Sequence, residues 1–251
     1  MKRALVTILA LAVAAPIFAQ QPVRRLDFAS DQQVIPVMGN TAGAFGATFQ
    51  TYVALLNPTS SAFTIQATLR DGTGVARNAS INLAAGEQKT FQNFLAEVFN
   101  FTGGGAVTLT APETAGGTHN NRFIVSTEVR TSGSHFSTTI PAIEFAGSNS
   151  RSFAPGVTVD SGSRTNVGCV NQSSDTVNNI KVTVLDNSGK QTLGTTNLVL
   201  QPNAWGQIGI STIVSNGYVQ FDPSEAAVCY AVVVDNTTSD GRFMSAVEYR
   251  P

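Results

Sequence analysis

Over most of the chain apolar and polar residues alternate, the two-residue period of a strand with one buried face. Thr64–Leu69 alternates and runs into Arg70-Asp71-Gly72-Thr73-Gly74, a hairpin signal; Ala79–Leu83 follows, and Ala85-Gly86 supplies the next turn. Phe123–Val129 alternates with Phe123, Val125, Thr127 and Val129 on one side, and further strands are read at Ala106–Thr110 and Phe136–Ile140. One stretch departs from this period. Phe94, Leu95, Val98 and Phe99 fall at helical spacing behind a candidate Asn93 cap, and Gly103-Gly104-Gly105 ends the run. Two turns of helix are expected there, serving as a plug over one end of a sandwich rather than as a partner helix.

The pattern then repeats. Gln50-Thr51-Tyr52-Val53-Ala54-Leu55-Leu56-Asn57-Pro58 returns as Arg164-Thr165-Asn166-Val167-Gly168-Cys169-Val170-Asn171-Gln172. Ile180–Leu185 answers Ile65–Leu69, Asp186-Asn187-Ser188-Gly189 answers Asp71–Gly74, and Leu198-Val199-Leu200 answers the strand ending at Leu83. Tyr218–Phe221, Val228–Val234 and Phe243–Val247 complete the second set. A period of about 115 residues is too long for a solenoid unit and suits one small sandwich domain. Each copy offers about seven short strands with turns every 8 to 12 residues or so, the signature of an immunoglobulin-like sandwich. The expected fold is all-β: two tandem immunoglobulin-like β-sandwiches, residues 34–143 and 153–251, the first with a short bridging helix. Residues 144–152 are read as a linker and 20–33 as a polar N-terminal linker. Val34-Ile35-Pro36-Val37 is expected to be an edge strand, where a missing proline N–H is tolerated.

The first nineteen residues read as an export signal: basic Lys2 and Arg3, an apolar stretch from Ala4 to Ile17, and small Ala19 before Gln20-Gln21. The apolar run is too short for a spanning helix, so cleavage after Ala19 and no membrane insertion are expected. No cysteine stands directly after the cleavage point, where Gln20 follows Ala19, so no lipid anchor is expected. Loss of Lys2 and Arg3 takes the net charge from -1 to -3. With charged residues only 12% of the chain and no Lys/Arg cluster, nucleic-acid and anionic-membrane partners are excluded.

Both cysteines, Cys169 and Cys229, lie in the second copy, and an isolated pair in an exported chain suggests one disulfide. Strand parity opposes it. Cys169 stands where the first copy has core-facing Leu55, but Cys229 aligns with Ile124, on the solvated face of Ser126, Glu128 and Arg130; a bulge would reconcile them.

The Gly-rich lead before Phe49–Pro58, the second-copy Arg164–Asn171, and Val232-Val233-Val234-Asp235-Asn236-Thr237-Thr238-Ser239-Asp240 together resemble tandem immunoglobulin-like domains of uncharacterised secreted proteins from environmental bacteria. The family pattern is an aromatic-Arg-Thr-Asp/Asn strand ending in Asn-Pro, followed later by a Val-Val-Asp-Asn-x-Thr-x-Asp turn. This chain has Gln50 in place of the arginine and Gln172 in place of the second proline. The resemblance implies a fold and a secreted location, either extracellular or periplasmic, but no activity.

Chemistry has few candidates. His119 and His135 lack a neighbouring nucleophile motif of the Gly-x-Ser-x-Gly, His-Glu-x-x-His or Ser-x-x-Lys kind, so no catalysis and no cofactor are expected. Asp71, Asp186, Asp235 and Asp240 could offer oxygens to calcium, but they are also turn formers, and no metal site is assigned. The candidate ligand surface consists of Trp205, Tyr52 and Tyr218, with Phe45 in the Gly39–Gly46 loop. Sequons at Asn78, Asn100, Asn171 and Asn236 are taken as turn composition, given the bacterial resemblance. The expected function is a secreted, non-catalytic structural or adhesive module acting on an extracellular protein or glycan. A carbohydrate-binding protein is the second expectation, and a hydrolase using His135 or His119 the third.

Overall fold

The computed structural model describes residues 29–43, 46–112, 121–131, 137–144 and 148–248. The export signal and most of the expected N-terminal linker lie outside them. In the first half, β1 (Ala29–Ser30), β2 (Gln32–Ala42), β3 (Thr48–Leu56), β4 (Phe63–Arg70), β5 (Ala76–Leu83) and β6 (Gln88–Phe91) precede a helix, α1 (Phe94–Phe99). Then come β7 (Gly103–Thr110), β8 (Phe123–Thr131), β9 (Ser137–Thr139) and β10 (Ile143–Glu144). The second half holds β11 (Ser152–Val159), β12 (Ser163–Asn171), β13 (Asn178–Leu185), β14 (Thr192–Leu200), β15 (Trp205–Ile210), β16 (Val214–Pro223), β17 (Ala227–Asp235), β18 (Gly241–Ser245) and β19 (Val247–Glu248).

All pairings are antiparallel, and the second half forms a five-stranded sheet, β14-β13-β16-β11-β19, and a four-stranded sheet, β15-β12-β17-β18. The first half pairs its strands in the corresponding way: β5-β4-β7-β2 with β10 on β2, and β6-β3-β8 with β9 on β8. Here, however, β2 is long enough to pair with β7 and then, through Asn40–Ala42, with β3, so all ten strands are hydrogen-bonded into one sheet. Between the layers of each half the inward residues form a core. Val53, Leu55, Ile65, Leu69, Val107 and Leu109 are among those of the first; Val167, Cys169, Ile180, Val182, Val219 and Phe221 are among those of the second.

Three expectations need correction. The strand containing Pro36 is not at an edge: β2 lies between β3 and β7, and the β2–β7 register shifts between Ile35 and Met38, so the proline sits at a bulge where no ladder N–H is required. The strand also begins at Gln32, inside the expected linker, and buried Gln33 donates to the Phe123 carbonyl at 2.8 Å. Within residues 144–152, Glu144 is paired in β10, Ser148 bridges Ala227 and Ser152 begins β11.

Helix α1 forms where its period predicts. Asn93 Oδ1 accepts the Ala96 N–H at 3.3 Å, and Phe94 and Leu95 are fully buried in the first core. Its stop is Asn100, in the left-handed conformation (φ 49°), with the Phe101 N–H closing back on the Leu95 carbonyl at 3.0 Å. Gly103–Gly105 do not end the helix; they open β7.

The two halves are packed face to face. On β17 both faces are apolar: Cys229 and Ala231 point into the second core, while Val228, Tyr230 and Val234 are buried on the other side. Val170 and half-buried Trp205 on that side pack with Val34 and Ala106 of the first half. The Trp205 backbone N–H donates to the Asp71 carbonyl at 3.0 Å, joining the β4–β5 hairpin to β15. Glycines make the approach possible. A Cβ on Gly104 would lie 2.9 Å from the Trp205 ring, and one on Gly74 would lie 2.7 Å from the Pro202 carbonyl. Gly104→Val is therefore expected to destabilise the chain by about 1–3 kcal/mol through overpacking. It should also shift the emission of Trp205, the chain's single tryptophan, to the red; unchanged emission and an unchanged unfolding midpoint would argue against this contact.

Candidate binding surfaces

The echoed motif is occupied with holding the fold. Thr51 Oγ1 donates to the Gly39 carbonyl at 3.0 Å, and Thr165 Oγ1 donates to the Thr158 carbonyl at 2.6 Å, each tying the preceding strand to the repeat strand. Asn57 and Asn171, fully buried at the strand ends, make one and the same knot. Nδ2 of Asn57 reaches the carbonyls of Ser61 (2.8 Å) and Ala84 (2.9 Å), while Oδ1 accepts the Thr59 N–H at 2.9 Å. Nδ2 of Asn171 reaches those of Thr176 (2.9 Å) and Gln201 (3.0 Å), with the Ser173 N–H on Oδ1 at 3.0 Å. Repetition in the sequence thus marks a buried clamp, not a ligand site.

The disulfide forms between Cys169 and Cys229, directly opposed on β12 and β17 with their Cα atoms 4.1 Å apart. Both cysteines face the core. In the first half Leu55 opposes Val125, so Cys229 corresponds to Val125 rather than Ile124. A one-residue shift in alignment removes the parity conflict, and no bulge is involved. The bond fits an oxidising compartment.

Of the candidate ligand residues, Trp205 is withdrawn from solvent by the first half. Its Nε1 donates to the Tyr230 hydroxyl at 3.1 Å, and that hydroxyl donates to Gln207 Oε1 at 2.9 Å. Complete burial pushes the Tyr230 hydroxyl far above the ordinary phenol range. Gly168 makes room for this ring, since a Cβ there would lie 2.3 Å from the Tyr230 hydroxyl oxygen. The first copy has Ala54 opposite Ser126 at the same places. Tyr52 is covered by Arg130, whose guanidinium carbon sits 3.9 Å from the ring centroid while Nε pairs with Glu128 at 3.0 Å. Phe45, His119 and His135 lie outside the described residues.

The aspartates are engaged in their turns. Asp235 Oδ1 accepts the N–H groups of Thr238 (2.7 Å) and Thr237 (2.8 Å), which hold its carboxyl below the ordinary range. Asp186 is likewise held low, first by the Ser188 hydroxyl and then by the Gln191 N–H. For Asp71 desolvation pushes up, but hydrogen bonds from Thr73 and the charge of Arg77 prevail and lower it. Among the described residues no group of three His, Cys, Asp or Glu side chains is placed to hold a metal ion.

Tyr218 remains, and it does not stand alone. On the outer face of the five-stranded sheet it meets Phe153 edge-on, with ring centroids 6.0 Å apart at 61°. The β11–β16 register shifts on both sides of Val157, next to Gly156 at φ 77°, and an open groove of ≈ 670 Å³ lies beside this irregular stretch. Phe153, Pro155, Tyr218 and exposed Val247 give it an apolar floor, and Asn187, Asn216 and Glu248 give it a polar rim. Phe153 and the two asparagines were not singled out from the sequence. The available signal was Phe153-Ala154-Pro155, in which the outward positions of a strand are the large apolar ones.

Compared with known proteins, the chain matches no family model, and no curated protein matches it. Among the described residues no helix is long and apolar enough to cross a membrane.

Proposed function

We propose that the chain is an exported, non-catalytic adhesive module of two tandem immunoglobulin-like sandwiches, and that it binds extracellular glycan in the Phe153–Tyr218 groove. The corresponding strand pairings of the two halves support the tandem reading. The immunoglobulin reading is supported by the pairs β12–β15 and β13–β16, which match B–E and C–F of that fold; the chain departs from it in that β11 and β14 join the C–F side, β17 pairs with β12, and the disulfide lies within one sheet rather than between two. The disulfide and the basic-apolar-small leader support export.

The groove carries the functional reading. A sugar ring presents C–H faces that lie on aromatic rings and hydroxyls that need amide or carboxylate partners, and this groove offers both on a rigid sheet. The Asn187 and Asn216 carboxamides make no hydrogen bond among the described residues, so their donors and acceptors are free to serve hydroxyls.

Labelled mature protein, with the mass of a chain starting at Gln20, should bind a subset of polysaccharides on a glycan array. Tyr218→Ala should weaken that binding by about tenfold, close to 1.4 kcal/mol, while circular dichroism stays unchanged. Retention on no glycan, or equal binding by the variant, would remove the glycan assignment. Hydrolysis of an ester, peptide or glycoside substrate that disappears in His119→Ala or His135→Ala would overturn the non-catalytic reading.

A further inference from the structure

A second cavity lies where the two halves meet, on the opposite side of the second half's sheets from the groove. Its walls are Met38, Phe49 and Val129 from the first half and Trp205, Val232 and Val234 from the second, and its volume is ≈ 140 Å³. The pocket is partly open to solvent, and its apolar walls face a space in which they have no protein atoms to pack against. An enclosed apolar cavity of about 150 Å³ accepts a molecule the size of benzene, and this partly open pocket has a comparable volume. Its polar lining is sparse. Thr41, Thr138, Asn166, Gln207 and Ser239 contribute, and no charged side chain does. Gln207 Oε1 is taken by the Tyr230 hydroxyl, but the Asn166 carboxamide has no partner among the described residues.

We propose that this pocket binds a small neutral ring compound of about six to eight non-hydrogen atoms, bearing one hydroxyl or carbonyl that pairs with Asn166. The two copies differ at the positions that matter. Val232 and Val234 occupy the places of Glu128 and Arg130 in the first copy, counting from the opposed pairs Cys169–Cys229 and Leu55–Val125. Trp205, opposite Val170, occupies the place of Gln88, opposite Leu56. The apolar wall is thus particular to the face that meets the first half. Because both halves supply walls, an occupant fastens one to the other, and ligand binding raises the stability of their docking by mass action.

The test uses the mature chain titrated with cyclohexanol, phenol and benzoate. Trp205 emission reads cyclohexanol, which does not absorb at the exciting wavelength, and ¹H–¹³C methyl shifts of Met38, Val232 and Val234 read all three. Cyclohexanol and phenol are expected to saturate at about 1 mM, consistent with the small atom count, and to raise the melting temperature. Benzoate, charged and two non-hydrogen atoms larger than phenol, should bind at least tenfold more weakly. Val232→Phe and Val129→Phe fill the space from opposite walls, and each should weaken cyclohexanol at least tenfold. Absence of saturable shifts, shifts spread over residues remote from the pocket, equal binding of benzoate, or undiminished binding in a folded filling variant would each overturn the proposal. If neither filled variant folds, the shift map and the benzoate comparison decide it.

Discussion

Asn171→Ala is expected to lower the stability of the chain by about 3 kcal/mol, and Asn57→Ala by a similar amount, because each leaves several buried backbone groups without a partner at about 1–3 kcal/mol apiece. In the wild-type chain one Asn171 carboxamide serves the carbonyls of Thr176 and Gln201 and the N–H of Ser173, all near the end of β12. The same knot ties the end of β3 through Asn57. Neither site has room for bulk water, since both asparagines are fully buried. Aspartate is not a rescue: it keeps the oxygen that accepts the N–H but turns a carboxylate toward carbonyl oxygens, so Asn171→Asp should be at least as unstable as the alanine variant at neutral pH. Urea unfolding followed by circular dichroism reads the effect directly. Two losses below about 0.5 kcal/mol, the scale of ordinary surface substitutions, would show that the repeated asparagines are not clamps.

Breaking the Cys169–Cys229 bond should cost up to about 4 kcal/mol, the chain-entropy value for a loop of this length. The cysteines are 60 residues apart in sequence, so the bond restricts the unfolded chain over most of the second half. The folded state loses little, because β12 and β17 remain paired along their length. The first half shows that the position itself needs no covalent link, since Leu55 and Val125 oppose each other there by packing alone. Cys169→Ala with Cys229→Ala should therefore still fold, unfold at lower urea than the oxidised wild type, and match reduced wild type to within the small cavity term. Coincident urea midpoints for the oxidised and reduced protein would mean that the bond constrains nothing the strands do not already hold.

The all-β class, the position of α1 and its Asn93 cap, and most strands were readable from periodicity, because each of these is set by local sequence. Pro36 misled for a physical reason: a proline excludes a ladder hydrogen bond but cannot say whether the gap is an edge or a bulge in an interior strand. The echo includes Asn57 and Asn171 but does not tell that they are buried clamps, since asparagine at a strand end is equally common in exposed turns. Trp205 looks like a ligand platform in the sequence because its cover comes from residues about a hundred positions or more earlier. A signal for that cover was present in Ala227-Val228-Cys229-Tyr230-Ala231-Val232-Val233-Val234, an unbroken apolar run. Strands buried on both faces look like this, whereas a strand with one wet face alternates. The first copy's Ser126, Glu128 and Arg130 show the contrast.

The position of β10 and β19 bears on how such a chain can be assembled. In the first half Glu144 lies opposite Gln33 in β2, and in the second Glu248 lies opposite Ser152 in β11, so each half ends beside a strand close to its own start. A unit that is entered and left at neighbouring points can be spliced into a surface loop, copied head to tail, or cut elsewhere and rejoined without spanning its own width. The second unit is the natural one to recut. With Glu248 joined to Ser152 by a few glycines and new ends opened in the Asp186–Gly189 turn, the second half would keep its strand pairs, β13 with β14 included.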